Sequence, residues 1–462
     1  MLFVLRGNIR GHLYYKDLAL KRAWFPRSHD LDTSPFDFVF TARSIMNDET
    51  IKLPIRTALI PNYYQNFHCL ASKCRDSCCI DWRITFNKKD YLRLRRLEAP
   101  PELKARLEAG VRRERKADYN GAEYGKFDLD SNNGRCPFLD SDGLCSIQRS
   151  CGHEALPYVC TSYPRKFNYT GAAKEYTLSA SCEGVLQQLW DLPDGIEFVE
   201  DPLPKAEWMT MNIVPGDTLA ASFAPIRALC VDILQDRSMP LSQRMLYLGV
   251  VLQQLQNEDW DGFDAERWAA RQQGLLASSP IGEEIPCNTD LFLLQNVKVL
   301  DQIGSNHAWV SELCDALKVT CEIMMVPKDG SDMEFRAEKN IQCSRKAYRD
   351  ALSQFQAAFS EREYFFENLM VAVALYLTFP RLNSKEELWN SYVSLCNMYS
   401  LYRFVSVLGC KQSATKEQLF HYIVIVSRAT LHNQNRTDMF REELFQHDSS
   451  TLAHMAILLG WD

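Results

Sequence analysis

Residues 69–84 read CLASKCRDSCCIDWRI, in which four cysteines fall within eleven residues and the last two, Cys78 and Cys79, are adjacent. Four more follow at Cys136, Cys145, Cys160 and Cys182, each in a turn-rich stretch, and with Cys151 they bring to nine of the 16 the cysteines between Cys69 and Cys182. Thiols grouped in this way in a long chain without export features bind metal more often than they form disulfides. The remaining seven, from Cys230 to Cys410, are scattered singly through apolar contexts and read as small buried residues. A metal, more than a large apolar core, is therefore expected to organise the region around residue 80.

Working outward, Trp82, Ile84 and Phe86 alternate as in a short strand, and Asn87 offers a helix N-cap. Helices are expected over 88–97 and 101–116, separated by Pro100. KFDLDSNNGRCPFLDSDGLCSI (126–147) reads as short extended pieces joined by Asn-Gly and Asp-Gly turns. Beyond Pro204 the pattern changes to long helices, for example over 243–256, 346–359, 364–379 and 416–432, with no internal repeat. Residues 1–45 lack sustained periodicity, whereas Met46 opens MNDETIKLPIRTALIPNYY and leads straight into the cysteines. The expected organisation is an N-terminal extension (1–45) that is dispensable, a cysteine-rich domain (46–204) and a helical domain (205–462). The fold class is α+β: a cysteine-rich, loop-rich, metal-binding N-terminal domain followed by a mostly α-helical domain.

A chain of 462 residues with 46% hydrophobic content is globular rather than disordered. MLFVLRGNIR is apolar for only five residues before Arg6, which argues against a secretory signal. The apolar run 369–377 is half the length of the roughly 20 residues that a spanning helix needs, so a buried core helix is expected. The expected compartment is a reducing cytoplasm, where free thiolates persist. A formal charge of −7 argues against general nucleic-acid affinity. The segment 88–116, with eleven basic and five acidic residues, is read as a solvated helical face. Phosphate contact is the sharper alternative there, but no aromatic platform accompanies it, and no nucleic-acid partner is expected.

Two C-x2-C pairs would have indicated zinc, each supplying half of a tetrahedral site. Here Cys78 and Cys79 project differently and serve two sites more easily than one small ion. Iron-sulfur clusters take cysteines from separated segments and use local amides as donors to sulfur, which turns provide. Iron-sulfur is the favoured cofactor, with a structural zinc site the next reading.

The segments LIPNYYQNFHC (59–69), CRDSCCIDWRI (74–84), NGRCPFLDSDGLCSI (133–147), HEALPYVCTSYPRKF (153–167) and LSASCEG (178–184), in this order and spacing, resemble the flagellin lysine-N-methylase family. The resemblance covers most of the chain from about residue 55. It implies transfer of methyl groups from S-adenosylmethionine to lysine ε-amino groups of flagellin, with an iron-sulfur cluster, of the 4Fe-4S kind, as cofactor. It also implies that Cys69, Cys74, Cys78, Cys79, Cys136, Cys145, Cys160 and Cys182 are the metal-ligating cysteines. Cys151 falls outside the pattern and is read as a bystander.

No two glycines are separated by a single residue, so the Gly-x-Gly fingerprint of a Rossmann methyltransferase is absent. The radical-enzyme spacing is absent too, since position 81 is Asp where a third cysteine would stand. A lysine amine, with a pKa of about 10.4, must lose a proton before it can attack a methyl group. Asp81 and Tyr163 are candidates to orient the amine or accept that proton, against the plainer reading of Asp81 as a turn cap. Trp82 could stack on adenine, although the first inward residue of a strand is more often core. Arg165 could hold the carboxylate of S-adenosylmethionine. Arg428 and His432, four apart in IVIVSRATLHN, share a helix face and could line a cofactor or substrate cleft, or simply satisfy carbonyls at the helix end. The leading reading is a protein-lysine N-methyltransferase with flagellin as partner, its oligomeric state open. The alternatives are a non-catalytic zinc- or iron-binding adaptor, or an iron-sulfur enzyme modifying another protein or RNA.

Overall fold

The computed structural model describes residues 58–80, 83–114, 123–132, 134–169, 174–201, 210–212, 222–276, 289–304, 333–411, 413–432 and 450–460. The chain divides into compact units at Leu53/Pro54, and every described residue belongs to the second. The expected extension 1–45 lies outside the described residues.

Among the described residues, eight strands form two sheets. The larger contains β1 (Ala58–Pro61), β5 (Arg165–Tyr169), β6 (Lys174–Leu178), β7 (Phe198–Asp201) and β8 (Thr210–Asn212), in the order β7-β1-β6-β5-β8. β5 and β6 pair antiparallel from Arg165↔Leu178 to Tyr169↔Lys174, while β1 runs parallel to β6 and antiparallel to β7. The smaller sheet is antiparallel, β2 (Thr85–Phe86) and β3 (Val111–Arg113) flanking β4 (Gly125–Phe127).

Six short helices accompany these strands: α1 (Asn62–Gln65), α2 (Lys88–Arg95), α3 (Pro101–Gly110), α4 (Ser146–Cys151), α5 (Tyr158–Ser162) and α6 (Glu183–Trp190). The Asn87 side chain caps α2 by accepting the Asp90 N–H at 2.9 Å, as its residue type suggests. Pro101 opens α3, where its missing N–H costs nothing. The expectation that this helix continues to 116 is corrected: it stops at Gly110 and the chain turns into β3. A Cβ at Gly110 would lie 2.6 Å from Pro137 Cγ, so this glycine permits the close approach that ends the helix. Ile84, Phe86, Leu94, Leu103, Leu107, Phe127 and Phe138 form the small core beneath.

The remainder is helical: α7 (Phe223–Gln235), α8 (Leu241–Asn257), α9 (Ala265–Leu276), α10 (Thr289–Gly304), α11 (Met333–Phe359), α12 (Tyr364–Tyr376), α13 (Lys385–Gly409), α14 (Lys416–Leu431) and α15 (Leu452–Leu459). Ser384, Thr415 and Thr451 cap α13, α14 and α15 with their hydroxyls. α13 packs against α14, α8 and α15. α12 is buried on every side from Phe365 to Leu375, which explains its continuous apolar run. Among the described residues no helix is long and apolar enough to cross a membrane. The main core begins before residue 204, because Tyr63, Phe67, Leu178, Val185, Leu186 and Leu189 join the same apolar cluster as these helices.

Candidate metal centre

Turns and helix ends, rather than regular elements, place the thiols. After α1, the Cys69 sulfur accepts the Ala71 N–H at 3.4 Å, and a single 3₁₀ turn, Ala71–Lys73, delivers Cys74. An isolated bridge between Ile80 and Arg135 aligns the two cysteine segments, and the Cys136 N–H donates to the Cys79 carbonyl at 2.7 Å. A second bridge, Leu139 to Cys145, closes the DSDG turn, where Gly143 takes φ +79°. Cys145 stands at the N-cap of α4, Cys160 lies in α5, and Cys182 is the N-cap of α6.

The thiols influence one another in two overlapping neighbourhoods that differ from their order in sequence. Cys182 joins Cys69, Cys74 and Cys78. Cys79 joins Cys136 and Cys145, and Cys160 faces Cys79, Cys78 and Cys145. Cys78 and Cys79, adjacent in sequence, thus link both neighbourhoods.

Burial, joined at Cys78 and Cys79 by hydrogen bonding between thiols, governs their acidity. Hydrogen bonding to Cys136, ahead of burial, pushes Cys79 up to about 12. Hydrogen bonding to Cys79 and burial raise Cys78 well above the ordinary thiol value, and burial does the same for Cys160. Burial, then the Glu183 carboxylate and nearby thiols, raise Cys74. Burial pushes Cys182 to about 12 although the Val185 and Gly184 amides donate to its sulfur, and the Gln148 and Ile147 amides similarly oppose the burial of Cys145. Thiols packed together cannot all ionise without a compensating cation, which is what a polynuclear metal group provides to thiolate ligands. Among the described residues no three Cys, His, Asp or Glu side chains converge as a single-ion site would require. Thiols on separate segments, with amides directed at the sulfurs of Cys69, Cys145 and Cys182, suit the chelation of zinc or iron.

Charged groups frame the thiols. Glu183 Oε2 accepts the Arg75 and Asp76 N–H groups at 2.7 and 3.0 Å, locking the loop between Cys74 and Cys78 to α6. Asp76 Oδ1 meets His421 Nδ1 at 2.8 Å, while its Oδ2 is buried with no hydrogen-bond partner among the described residues. Arg428 donates to the Asp76 carbonyl at 2.6 Å and lowers the cost of charge on Cys78. His432 Nε2 lies 2.7 Å from Ser181 Oγ, and burial together with the Arg428 and Lys166 cations lowers its pKa to about 4. His421, Arg428 and His432, seven and four residues apart, make one polar stripe of α14 against the cysteine segments.

The expected site residues are distributed unevenly. Tyr163 borders the centre: its hydroxyl donates to the Ser181 carbonyl at 2.8 Å, and burial keeps it protonated. Arg428 and His432, expected to line a cleft, stand against the cysteine segments themselves. Arg165 opens β5 with its guanidinium 5.2 Å over the Phe67 ring. Asp81 and Trp82 lie outside the described residues. Cys151 donates to the Glu98 carbonyl at 3.7 Å. The residue reading missed Asp76, Glu183 and His421; the first two stand between or beside motif cysteines, and His421 precedes Arg428 by two helical turns.

Two family models match the chain. Residues 68–183, which contain all eight cysteines, match a proposed zinc- or iron-chelating domain, and residues 227–458 match the FliB lysine N-methylase C-terminal domain. Lysine-N-methylases of Salmonella choleraesuis (strain SC-B67) and Salmonella typhimurium (strain LT2) are 29% identical over 163 residues, 35% of this chain and 39% of each relative. The match thus spans about two fifths of the length of these relatives. The flagellar biosynthetic protein FliU of Salmonella muenchen is 30% identical over 152 residues, 31% of this chain and 83% of that protein. No solved structure matches. The C-terminal model covers half of the sequence and is preceded by the matched cysteine domain, so the chain belongs to the FliB lysine N-methylase family.

Proposed function

We propose that this protein transfers methyl groups from S-adenosylmethionine to lysine ε-amino groups of flagellin, and that it does so with an iron-sulfur cluster whose ligands come from among Cys69, Cys74, Cys78, Cys79, Cys136, Cys145, Cys160 and Cys182. The supporting observation is that α14, a helix of the lysine N-methylase part of the chain, grips the Cys74–Cys78 loop through Asp76, with the other motif cysteines close enough to raise one another's pKa. Bound there, a cluster would supply one-electron chemistry or an iron coordination position for the methyl donor. A reducing compartment such as the cytoplasm suits this reading, since it keeps the thiols available.

The chain's own groups would serve the reaction as follows. Arg428 offsets negative charge at Cys78 and fixes the Cys74–Cys78 loop through the Asp76 carbonyl. Ser181, with Ser179 beside it, holds His432 through its Nε2 against the cysteine segments. Tyr163 stays a phenol and orients by donating. Arg165 and Trp82 are retained as candidates for holding S-adenosylmethionine, and Asp81 as the candidate base. In a polar transfer the amine lone pair forms the new N–C bond as the S–C bond breaks, and the amine proton leaves to the base.

The test is anaerobic incubation of the metal-loaded protein with unmodified flagellin and isotopically labelled S-adenosylmethionine. Label recovered in methyl-lysine of flagellin is the expected outcome, and a cluster-loaded protein that leaves flagellin unlabelled would refute the assignment.

A further inference from the structure

A cavity of about 430 Å³ opens in the helical part of the fold, where Trp190 at the end of α6 and Leu419 in the first turn of α14 meet the ends of α11 and α12. Four arginines line it against two glutamates. Arg237 and Arg244 both grip Glu367, the former at 2.9 Å and the latter at 2.7 Å, so one carboxylate is shared between two guanidinium groups. Glu367 is 1% exposed and Arg244 8%, and Arg244 Nε has no hydrogen-bond partner among the described residues. Arg362 lies 5.0 Å over the Trp190 ring and 5.8 Å from the Tyr364 centroid. Arg403 lies 5.2 Å over Phe366. Four guanidinium groups against two carboxylates leave the lining net positive, which favours an anionic ligand. Aromatic and guanidinium planes, for their part, accept a planar ring by stacking.

We infer that this cavity binds a nucleoside phosphate, with the phosphate at Arg237 and Arg362 near the mouth and the base against the planes of Tyr364, Arg362 and Trp190. The size is that of small-molecule sites, which begin at roughly 300 Å³. Charge sets this ligand apart from the methyl donor, because S-adenosylmethionine carries two cationic groups and one carboxylate and a positive wall repels its net charge. The site is therefore additional to the one that methyl transfer requires and does not depend on that assignment.

Titration calorimetry of the full, metal-loaded chain with ADP tests this, alongside adenosine, pyrophosphate and S-adenosylmethionine. ADP is expected to bind at least about tenfold more tightly than any of the three, because each lacks the ring, the phosphate or the negative charge. Arg362→Gln is expected to weaken ADP about tenfold or more through loss of a charge-assisted contact, with the melting temperature and iron content unchanged. Arg237→Gln at the mouth gives a second reading of the same loss. Absence of ADP binding, pyrophosphate binding as tightly as ADP, or both variants binding ADP like the parent would overturn the proposal.

Discussion

Cys78 and Cys79 share a peptide bond, yet Cys78 interacts with Cys74 and Cys182 while Cys79 hydrogen-bonds toward Cys136. The expectation that the pair would serve two separate sites stands beside a hydrogen bond between the two thiols themselves, which was not legible in the sequence. Nor was the crossing of Cys182 into the first neighbourhood, since it depends on α6 packing back on the loop through Glu183. Cys79→Ser and Cys136→Ser are expected to lose most of the bound iron, measured colourimetrically on folded protein, whereas Cys151→Ser retains it. Equal iron in all three would remove Cys79 and Cys136 from the ligand set. Lys166 shows a residue effect that no local pattern announced. Its amine lies 4.4 Å from the Tyr376 centroid, and burial, then Arg381 and Arg227, lower its pKa from 10.5 to about 7. Between these values the unfolded chain holds the extra proton, so stability rises with pH across that window. Urea denaturation at pH 7 and pH 10 is expected to show the parent gaining on Lys166→Met as pH rises, by an amount on the order of a few kcal/mol. A pH-independent difference between them would contradict the desolvated amine.

At the level of elements, caps and periodicity carried most of the helical reading. The expected helix over 416–432 is α14 at Lys416–Leu431, and that over 243–256 is α8 at Leu241–Asn257. The end of α3 escaped because Gly110 reads as a mild helix weakener until its approach to Pro137 is seen. The strands of the larger sheet were mostly illegible, since segments of three to five residues with nonlocal partners leave little periodic signal. α14 was legible as a helix but not as the wall of the metal centre, because His421 and Arg428 gain meaning only from Asp76, more than 300 residues earlier. The α8–α13 contact is tight at Gly249, where a Cβ would lie 2.3 Å from the Tyr392 hydroxyl oxygen. Tyr392 donates that hydroxyl to the Met245 carbonyl at 3.1 Å and has no room to move aside. Gly249→Ala is therefore expected to lower stability by about 1–3 kcal/mol, read in thermal unfolding. An unchanged melting temperature would show that the contact yields.

At the scale of the molecule, the sheet and the helices are joined by a buried pair, Arg227 on α7 with Glu175 on β6 at 2.7 Å, both side chains 5% exposed or less. Arg227 also donates to the Ala374 carbonyl of α12, so three elements share one guanidinium. A buried pair of this kind specifies which elements meet more than it adds stability. α14 adds a second junction, running from Lys416, which reaches Gln187 on α6, to His432 beside Ser181. The cysteine centre is thus framed by both matched regions of the chain, and its metal is the central claim. The decisive measurement is iron, zinc and acid-labile sulfide content with Mössbauer spectra on protein purified without oxygen. The account predicts about four irons and four sulfides per chain with a cluster spectrum. Zinc without sulfide would contradict it and leave the thiols as a structural site.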